Sequence, residues 1–302
     1  MKDKRIKTGV FLAVLSAALY AINVPFSKLL LDFVPPTMMA GLLYLGAGIG
    51  MGFIAFLRKT AKIDSAEEKF TKAELPYTFA MIVLDIAAPI CLMTGLAMTT
   101  AANASLLNNF EYVATALIAF FFFREKISPR LWLGIILVVS ACVLLSFEGA
   151  SSMHFSVGSV FVLLSAVLWG IENNCTKVLS KKDPLVIVLL KGSFCGGTSF
   201  IISVVAGEKA ANLWSVAAVL CVGLVAYGMS IFVYVYAQRI RGAARTGVYS
   251  GLTPFLGTVL SLIIFREIPG KQYFAALLLM IFGAWLSSSD EPLFKKKNKT
   301  GT

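Results

Sequence analysis

The sequence predicts an all-α membrane protein in which ten transmembrane helices form two inverted-topology five-helix repeats. Three observations carry that prediction. Of the 302 residues 58% are apolar and 14% charged, against about 25% charged in soluble domains, and the mean hydropathy is +0.82. The apolar residues fall into ten runs, most of them close to the roughly 20 residues that cross a bilayer as a helix. Finally, the polar skeleton of Ser16–Lys28, SAALYAINVPFSK, returns 149 residues later in Ser165–Lys177, SAVLWGIENNCTK.

In chain order the runs cover 8–31, 36–57, 76–98, 102–123 and 129–147, then 157–179, 184–206, 212–236, 243–265 and 271–288. A basic lead, Lys2–Lys7, precedes the first run and no small-residue cleavage pattern follows it, which reads as an uncleaved first span and not a signal peptide. Short links holding Pro and charged residues separate the spans; the longest, Arg58–Leu75, is expected on the surface. The expected organisation is a first repeat over 1–148, a second over 149–290 and a basic tail over 291–302.

Lysine and arginine set the orientation. With the N-terminus inside, 21 of the 27 lie in inner segments, three (Lys209, Arg266, Lys271) in outer ones, and three (Lys28, Lys177, Lys191) within spans. Such asymmetry marks the cytoplasmic side, so both termini are expected there in a multi-pass cell-membrane protein. The net charge of +11 then reports topology, not affinity for nucleic acid.

The repeat sharpens the picture. Ser16, Tyr20, Asn23, Ser27 and Lys28 align with Ser165, Trp169, Glu172, Thr176 and Lys177. Steps of four, three and four place the first four of each set along one helix face. A charged residue at a helix centre costs about 2.5–3.5 kcal/mol in hydrocarbon, so these stripes must face protein or water, and they are expected to face each other across one cavity. A second match pairs Phe122-Phe123-Arg124-Glu125 with Ile264-Phe265-Arg266-Glu267, 142 residues on. Five spans per copy is an odd number, so the second copy crosses in the opposite sense.

These segments resemble a known family. LYAINVPFSK and LWGIENNCTK are similar to the first-helix signature of the drug/metabolite transporter superfamily, EamA type, in each of its halves. ANASLLNNFEYVATALIAFFFFRE and ARTGVYSGLTPFLGTVLSLIIFRE resemble its fourth-helix pattern. The resemblance implies ten helices, a central cavity lined by helices 1, 3, 4, 6, 8 and 9, and secondary transport of small metabolites. One departure stands out: Pro254 fits the family's mid-helix proline, whereas the first half has Tyr112 beside Glu111.

Candidate substrate- or proton-binding residues follow from polarity at depth. Glu172 lies too deep in its span to reach the surface easily and either lines the cavity or pairs with Lys177 or Lys191. Glu111 belongs to a one-face stripe with Ala104, Asn108 and Thr115; its counterparts in span 9 are Ser250 and Thr253. Asp85 precedes Pro89 by one turn and either binds a ligand or pairs with Lys191. Asn23, Asn108, Asn173 and Asn174 serve equally as helix–helix hydrogen bonders or as substrate contacts. Tyr20, Trp169, Tyr227 and Tyr249 are candidate cavity walls. Lys28 and Lys177 sit near span ends, where snorkelling suits them, while Lys191 reads as a salt-bridge partner. Gly46xxxGly50, Gly48xxxGly52 and Gly192xxxGly196 permit close helix packing within a monomer or weak dimer. The five cysteines have no CxxC spacing and read as buried thiols, and the lone His154 argues against a metal site.

No phosphate-binding GxxxxGK[ST] loop and no Ser/His/Asp constellation occurs in the sequence, so neither ATP-driven pumping nor enzyme chemistry is expected, and no cofactor. The favoured expectation is a secondary active transporter, a proton-linked exporter or exchanger of a small polar, cationic or zwitterionic metabolite such as an amino acid, working by alternating access. An uncoupled facilitator of neutral metabolites is the alternative, and a membrane enzyme the remote one. The topology is directly testable. A reporter fused after Thr302 and one inserted within Lys59–Lys72 are expected to read cytoplasm, and one near Ser151 the outside; an outside signal from Lys59–Lys72 overturns the ten-span arrangement.

Overall fold

The computed structural model describes residues 2–61, 71–124, 127–146, 156–179, 182–241, 251–266 and 270–287. Those residues fold into helices without a strand among them. Hydrocarbon offers no partner for backbone N–H and C=O groups, so a spanning chain must satisfy them within its own helix. The first span is α1 (Lys2–Ala21) and α2 (Asn23–Leu30), interrupted at Ile22. The second is α3 (Pro36–Thr60), opened by a proline whose missing N–H would have had no partner there. α4 (Leu75–Met98) follows a capping box in which the Thr71 N–H donates to Glu74 Oε2 at 2.7 Å.

The fourth span is broken into α5 (Ala101–Leu107), capped by Thr100, and α6 (Phe110–Phe123). α7 (Pro129–Ser146) and α8 (Val157–Leu179) follow. The seventh consists of α9 (Pro184–Leu190), a π turn over Lys191–Cys195, and α10 (Gly196–Val205). The eighth has the same construction: α11 (Leu213–Gly223), a π turn over Leu224–Met229, and α12 (Ser230–Arg241). Last come α13 (Thr253–Phe265) and α14 (Lys271–Ser287). Among the described residues eight stretches are long and apolar enough to cross a membrane, while Thr253–Phe265 and Lys271–Leu286 are shorter apolar helices. The expected start of span 9, including Tyr249 and Ser250, lies outside the described residues, as does the tail.

α4 packs along α8, α1 along α12, α7 along α14, and α3 lies against α10 and α11. Small residues let these backbones approach. A Cβ on Gly192 would sit 2.3 Å from Gly48 Cα, and one on Gly46 would sit 2.1 Å from the Leu220 carbonyl oxygen. The glycine pattern of α3 therefore serves internal crossings. Large apolar side chains such as Phe122, Phe53 and Trp285 cover the outside. Cys221 is exposed on that outside, a correction to the expectation of uniformly buried thiols. The periphery of a membrane protein is as apolar as its core, so the composition of a helix does not say which way a small residue points.

The ends of the spans are tied across the chain. Lys182 Nζ lies 2.8 Å from Glu74 Oε1, and Arg58 Nη1 lies 3.0 Å from Asp183 Oδ2, whose other oxygen caps α9 at Leu185 N. On the opposite side Glu208 Oε2 accepts from Met38 N at 2.7 Å, and Ala211 N donates to the Phe33 carbonyl at 2.8 Å. Lys28 does not simply reach outward: its ammonium donates to the Leu96 carbonyl at 2.7 Å, supplying a partner to the last turn of α4. Gly192→Ala is expected to cost about 1–3 kcal/mol by overpacking α3. Gly197, with nothing within 4 Å of an added Cβ, is expected to accept alanine without loss. Thermal unfolding of the purified protein in detergent separates the two.

Candidate functional site

At the middle of the bundle three charged side chains from three spans meet. Asp85 comes from α4, Glu172 from α8, and Lys191 opens the π turn of the seventh span. Lys191 Nζ lies 2.9 Å from Asp85 Oδ2 and donates to Glu172 Oε1 at 2.8 Å. Asp85 is 0% exposed, Glu172 3% and the Lys191 side chain 11%. Both carboxylates are braced. Tyr44 Oη donates to Asp85 Oδ1 at 2.9 Å and Trp169 Nε1 donates to the same oxygen at 3.2 Å. Thr176 Oγ1, one turn along α8, donates to Glu172 Oε1. With all three groups ionised the cluster carries two negative charges against one positive.

A second cluster adjoins it. Glu111, half-buried at the start of α6, accepts from Asn173 Nδ2 at 2.8 Å, and no cation among the described residues lies within ion-pair distance. Asn173 Nδ2 also reaches Thr115 Oγ1 at 3.3 Å, and Asn174 Nδ2 donates to the Gly170 and Thr115 carbonyls. Gly170 makes this contact possible, since a Cβ there would meet Ala114 at 2.6 Å. A third cluster lies on α2 and the eighth span. Asn23 Nδ2 donates to Tyr227 Oη at 3.1 Å, and Asn23 Oδ1 accepts from Ser27 Oγ at 3.2 Å. Tyr227 packs against Tyr44 and Tyr20, with ring centroids 5.0 and 5.7 Å away.

These polar side chains gather where helices depart from α geometry. Asn23 begins a new helix after the break at Ile22, and Asn108 ends α5. Lys191 and Tyr227 lie in the two π turns. Pro89 has no N–H to return to the Asp85 carbonyl. An extra residue in a turn re-aims the side chains that follow, which is why π turns accompany functional groups.

Of the residues singled out from the sequence, Asp85, Glu172 and Trp169 converge on one cluster, joined there by Lys191. Glu111, Asn173 and Asn174 form the second, and Asn23 and Tyr20 the third. Thr253 Oγ1 makes a 3.4 Å bond to the Ala17 carbonyl, tying α13 to α1. Asn108 is buried, with its Oδ1 lacking a partner among the described residues. Tyr249 lies outside those residues. Both stripes are buried in protein as expected, but each meets its own neighbours, the eighth span for Asn23 and the third and seventh for Glu172. Tyr44 was missed: a single phenol mid-span gave little signal, although its place one turn before Gly48, where helices cross, marked it as inward-facing. Among the described residues no group of His, Cys, Asp and Glu could hold a metal ion.

Removing one partner of a buried ion pair strands the other in low dielectric. Lys191→Met is expected to lower stability by about 3–5 kcal/mol. Asp85→Asn combined with Lys191→Met, which keeps the formal charge of the cluster at minus one, is expected to recover more than half of that loss. Equal destabilisation by the single and double substitutions, measured as unfolding in detergent, would show that the charges do not act as a unit.

Comparison with known proteins agrees with this architecture. The family model for the EamA-like transporter family matches twice, over residues 7–147 and 156–289. An uncharacterized transporter of Methanothermobacter thermautotrophicus is 26% identical over 275 residues, covering 85% of this chain and 79% of its own. The uncharacterized transporter YetK of Bacillus subtilis is 23% identical over 297 residues, with 92% and 86% covered. The uncharacterized inner membrane transporter YedA of Escherichia coli is 24% identical over 277 residues, with 87% and 85% covered. A crystal structure superposes with a TM-score of 0.62 over 95% of this chain and 98% of its own, at 16% identity, a likeness of fold alone. Two matches to one family model, spanning nearly the whole chain and falling on multiple apolar helices around a buried polar centre, make this protein a multi-pass membrane transporter of the EamA-like family.

Proposed function

We propose that the chain is a secondary active transporter that exchanges or exports a small cationic or zwitterionic metabolite against protons, by alternating access. The observation that carries this reading is the excess of buried acid: Asp85 and Glu172 share one ammonium, and Glu111 has only an amide. Acidic groups held at depth in a membrane are costly, and a ligand cation or a proton offsets that cost. No nucleotide-binding loop stands in the sequence, so the driving force in this reading is an ion gradient.

The reading includes ten crossings in two inverted copies, 1–148 and 149–290, with both termini and the tail from 291 in the cytoplasm. Swapping the halves turns the α4–α8 packing into the α1–α12 packing, and maps α7–α14 and α3–α10 onto themselves. Arg124 and Arg266, at matched positions, both end their helices in the left-handed region, at φ 54° and 53°. Thr176 bonds Glu172 one turn back, as Ser27 bonds Asn23. Inverted copies of this kind place the substrate near mid-membrane between them, which is where the polar clusters lie along their spans.

A second reading, an uncoupled facilitator of neutral solutes, draws on the fact that Lys191 already compensates much of the acid. The two differ in the response to a pH gradient. Glu172→Gln and Glu111→Gln keep shape and hydrogen bonding but fix each site in a proton-bound-like form. In proteoliposomes each is expected to abolish gradient-driven accumulation, and Glu111→Gln to leave substrate exchange without a gradient measurable. Unchanged accumulation by both variants would remove the two glutamates from coupling, leaving Asp85 with Lys191, or no coupling at all.

A further inference from the structure

The charged cluster consists of two braced carboxylates and an ammonium on a longer stem. Asp85 Oδ1 is held by Tyr44 and Trp169 from two other spans, and Glu172 by Thr176 on its own helix. The ammonium between them is carried on a flexible four-carbon stem from a π turn. Asp85 Oδ2 is wholly buried and has no aligned hydrogen bond; its contact is the charge of Lys191 at 2.9 Å. The two carboxylates thus form a built cation site whose occupant belongs to the protein. The site cannot be left without a cation, because two adjacent carboxylates in low dielectric repel each other and have lost their hydration. Whatever displaces Lys191 must therefore bring its own compact positive charge and N–H donors.

We infer that Asp85 and Glu172 bind a primary ammonium group of the transported solute, and that Lys191 is a tethered stand-in that fills the site when no solute is bound. This rests on the reading of the chain as a carrier of cationic or zwitterionic metabolites and specifies the group recognised. The solute's ammonium takes the place of the Lys191 ammonium against the same two carboxylates, and the lysine stem swings aside. An empty carrier with Lys191 in place has no unpaired buried carboxylate pair, so it can reorient without solute. The lysine accordingly favours net transport over obligatory exchange.

Trp169 reports on the site, since its Nε1–H bonds the Asp85 carboxylate. The other three tryptophans, Trp132, Trp214 and Trp285, are replaced by phenylalanine in the full chain, which is then placed in lipid nanodiscs. Methylammonium chloride is the probe, with tetramethylammonium chloride as the control for ionic strength. In this otherwise wild-type reporter saturating methylammonium is expected to shift Trp169 emission and tetramethylammonium to leave it unchanged. Adding K191M, which removes the tethered cation and leaves both carboxylates, with the protein purified in methylammonium, is expected to tighten methylammonium binding at least tenfold. K191R, which keeps the tether, is expected to give no tightening, and E172Q added to K191M is expected to abolish that tightening. No shift in the otherwise wild-type reporter at any methylammonium concentration overturns the proposal whatever the variants do, and so does equal affinity in the K191R and K191M proteins. Uptake of amine-bearing solutes into proteoliposomes is read separately. A Trp169 response without such uptake sinks the transport reading and leaves the ammonium site standing; uptake with a silent Trp169 sinks the site alone.

Discussion

The structure depends on one constraint: within the membrane every polar group must find its partner inside the protein. The Asp85–Lys191–Glu172 cluster is its most demanding case, because each charge would cost several kcal/mol if stranded. Three spans must cross at the right height and rotation for the cluster to close. The glycines of α3 and the seventh span, with Gly48 against Gly192, bring α3 against the span that carries Lys191, and Tyr44 on α3 reaches Asp85. Packing and electrostatics are therefore one problem here. A bulkier residue at the crossing would separate charges as well as backbones.

The same constraint explains why regular helix is abandoned where it is. A break at Ile22, another between Leu107 and Phe110, and π turns at Lys191 and Leu224 all leave or redirect backbone groups. In lipid such irregularity is tolerated only where protein surrounds it. Its concentration around Asn23, Asn108, Lys191 and Tyr227 shows that the interior of the bundle, and not its rim, carries the polar chemistry. Exposed side chains on the outer faces, such as Ile49, Phe53 and Phe56 on α3, are correspondingly apolar.

The sequence match between the first and sixth spans has a structural counterpart. The two matched helices place Asn23 and Glu172 at equivalent positions, each bonded to the hydroxyl one turn further on. Yet Asn23 meets a tyrosine where Glu172 meets a lysine. The two segments matched in sequence thus differ in charge, and the Asp85–Lys191–Glu172 cluster lies on the side formed by the third, sixth and seventh spans. The Asn23–Tyr227–Tyr20 side is neutral and aromatic, and the other side is acidic.

The sequence by itself determined the class, most of the apolar spans and which polar residues lie within them. Those properties are one-dimensional: hydropathy sums along the chain, and a 3.6-residue period tells which side chains share a face. Asp85, Glu111 and Glu172 stood out because a carboxylate inside an apolar run costs the same wherever the helix goes. Partner choice was decided only by the tertiary structure. Lys177 and Lys191 were both in reach of Glu172 by sequence, and Lys191 was equally in reach of Asp85; the crossing of three helices gave Lys191 to both carboxylates. Tyr44 and the π turns escaped notice because helix rotation and an extra residue in a turn leave no periodic trace. Who neutralises whom depends on distances between segments more than a hundred residues apart, as from Tyr44 to Lys191, and those distances follow from packing.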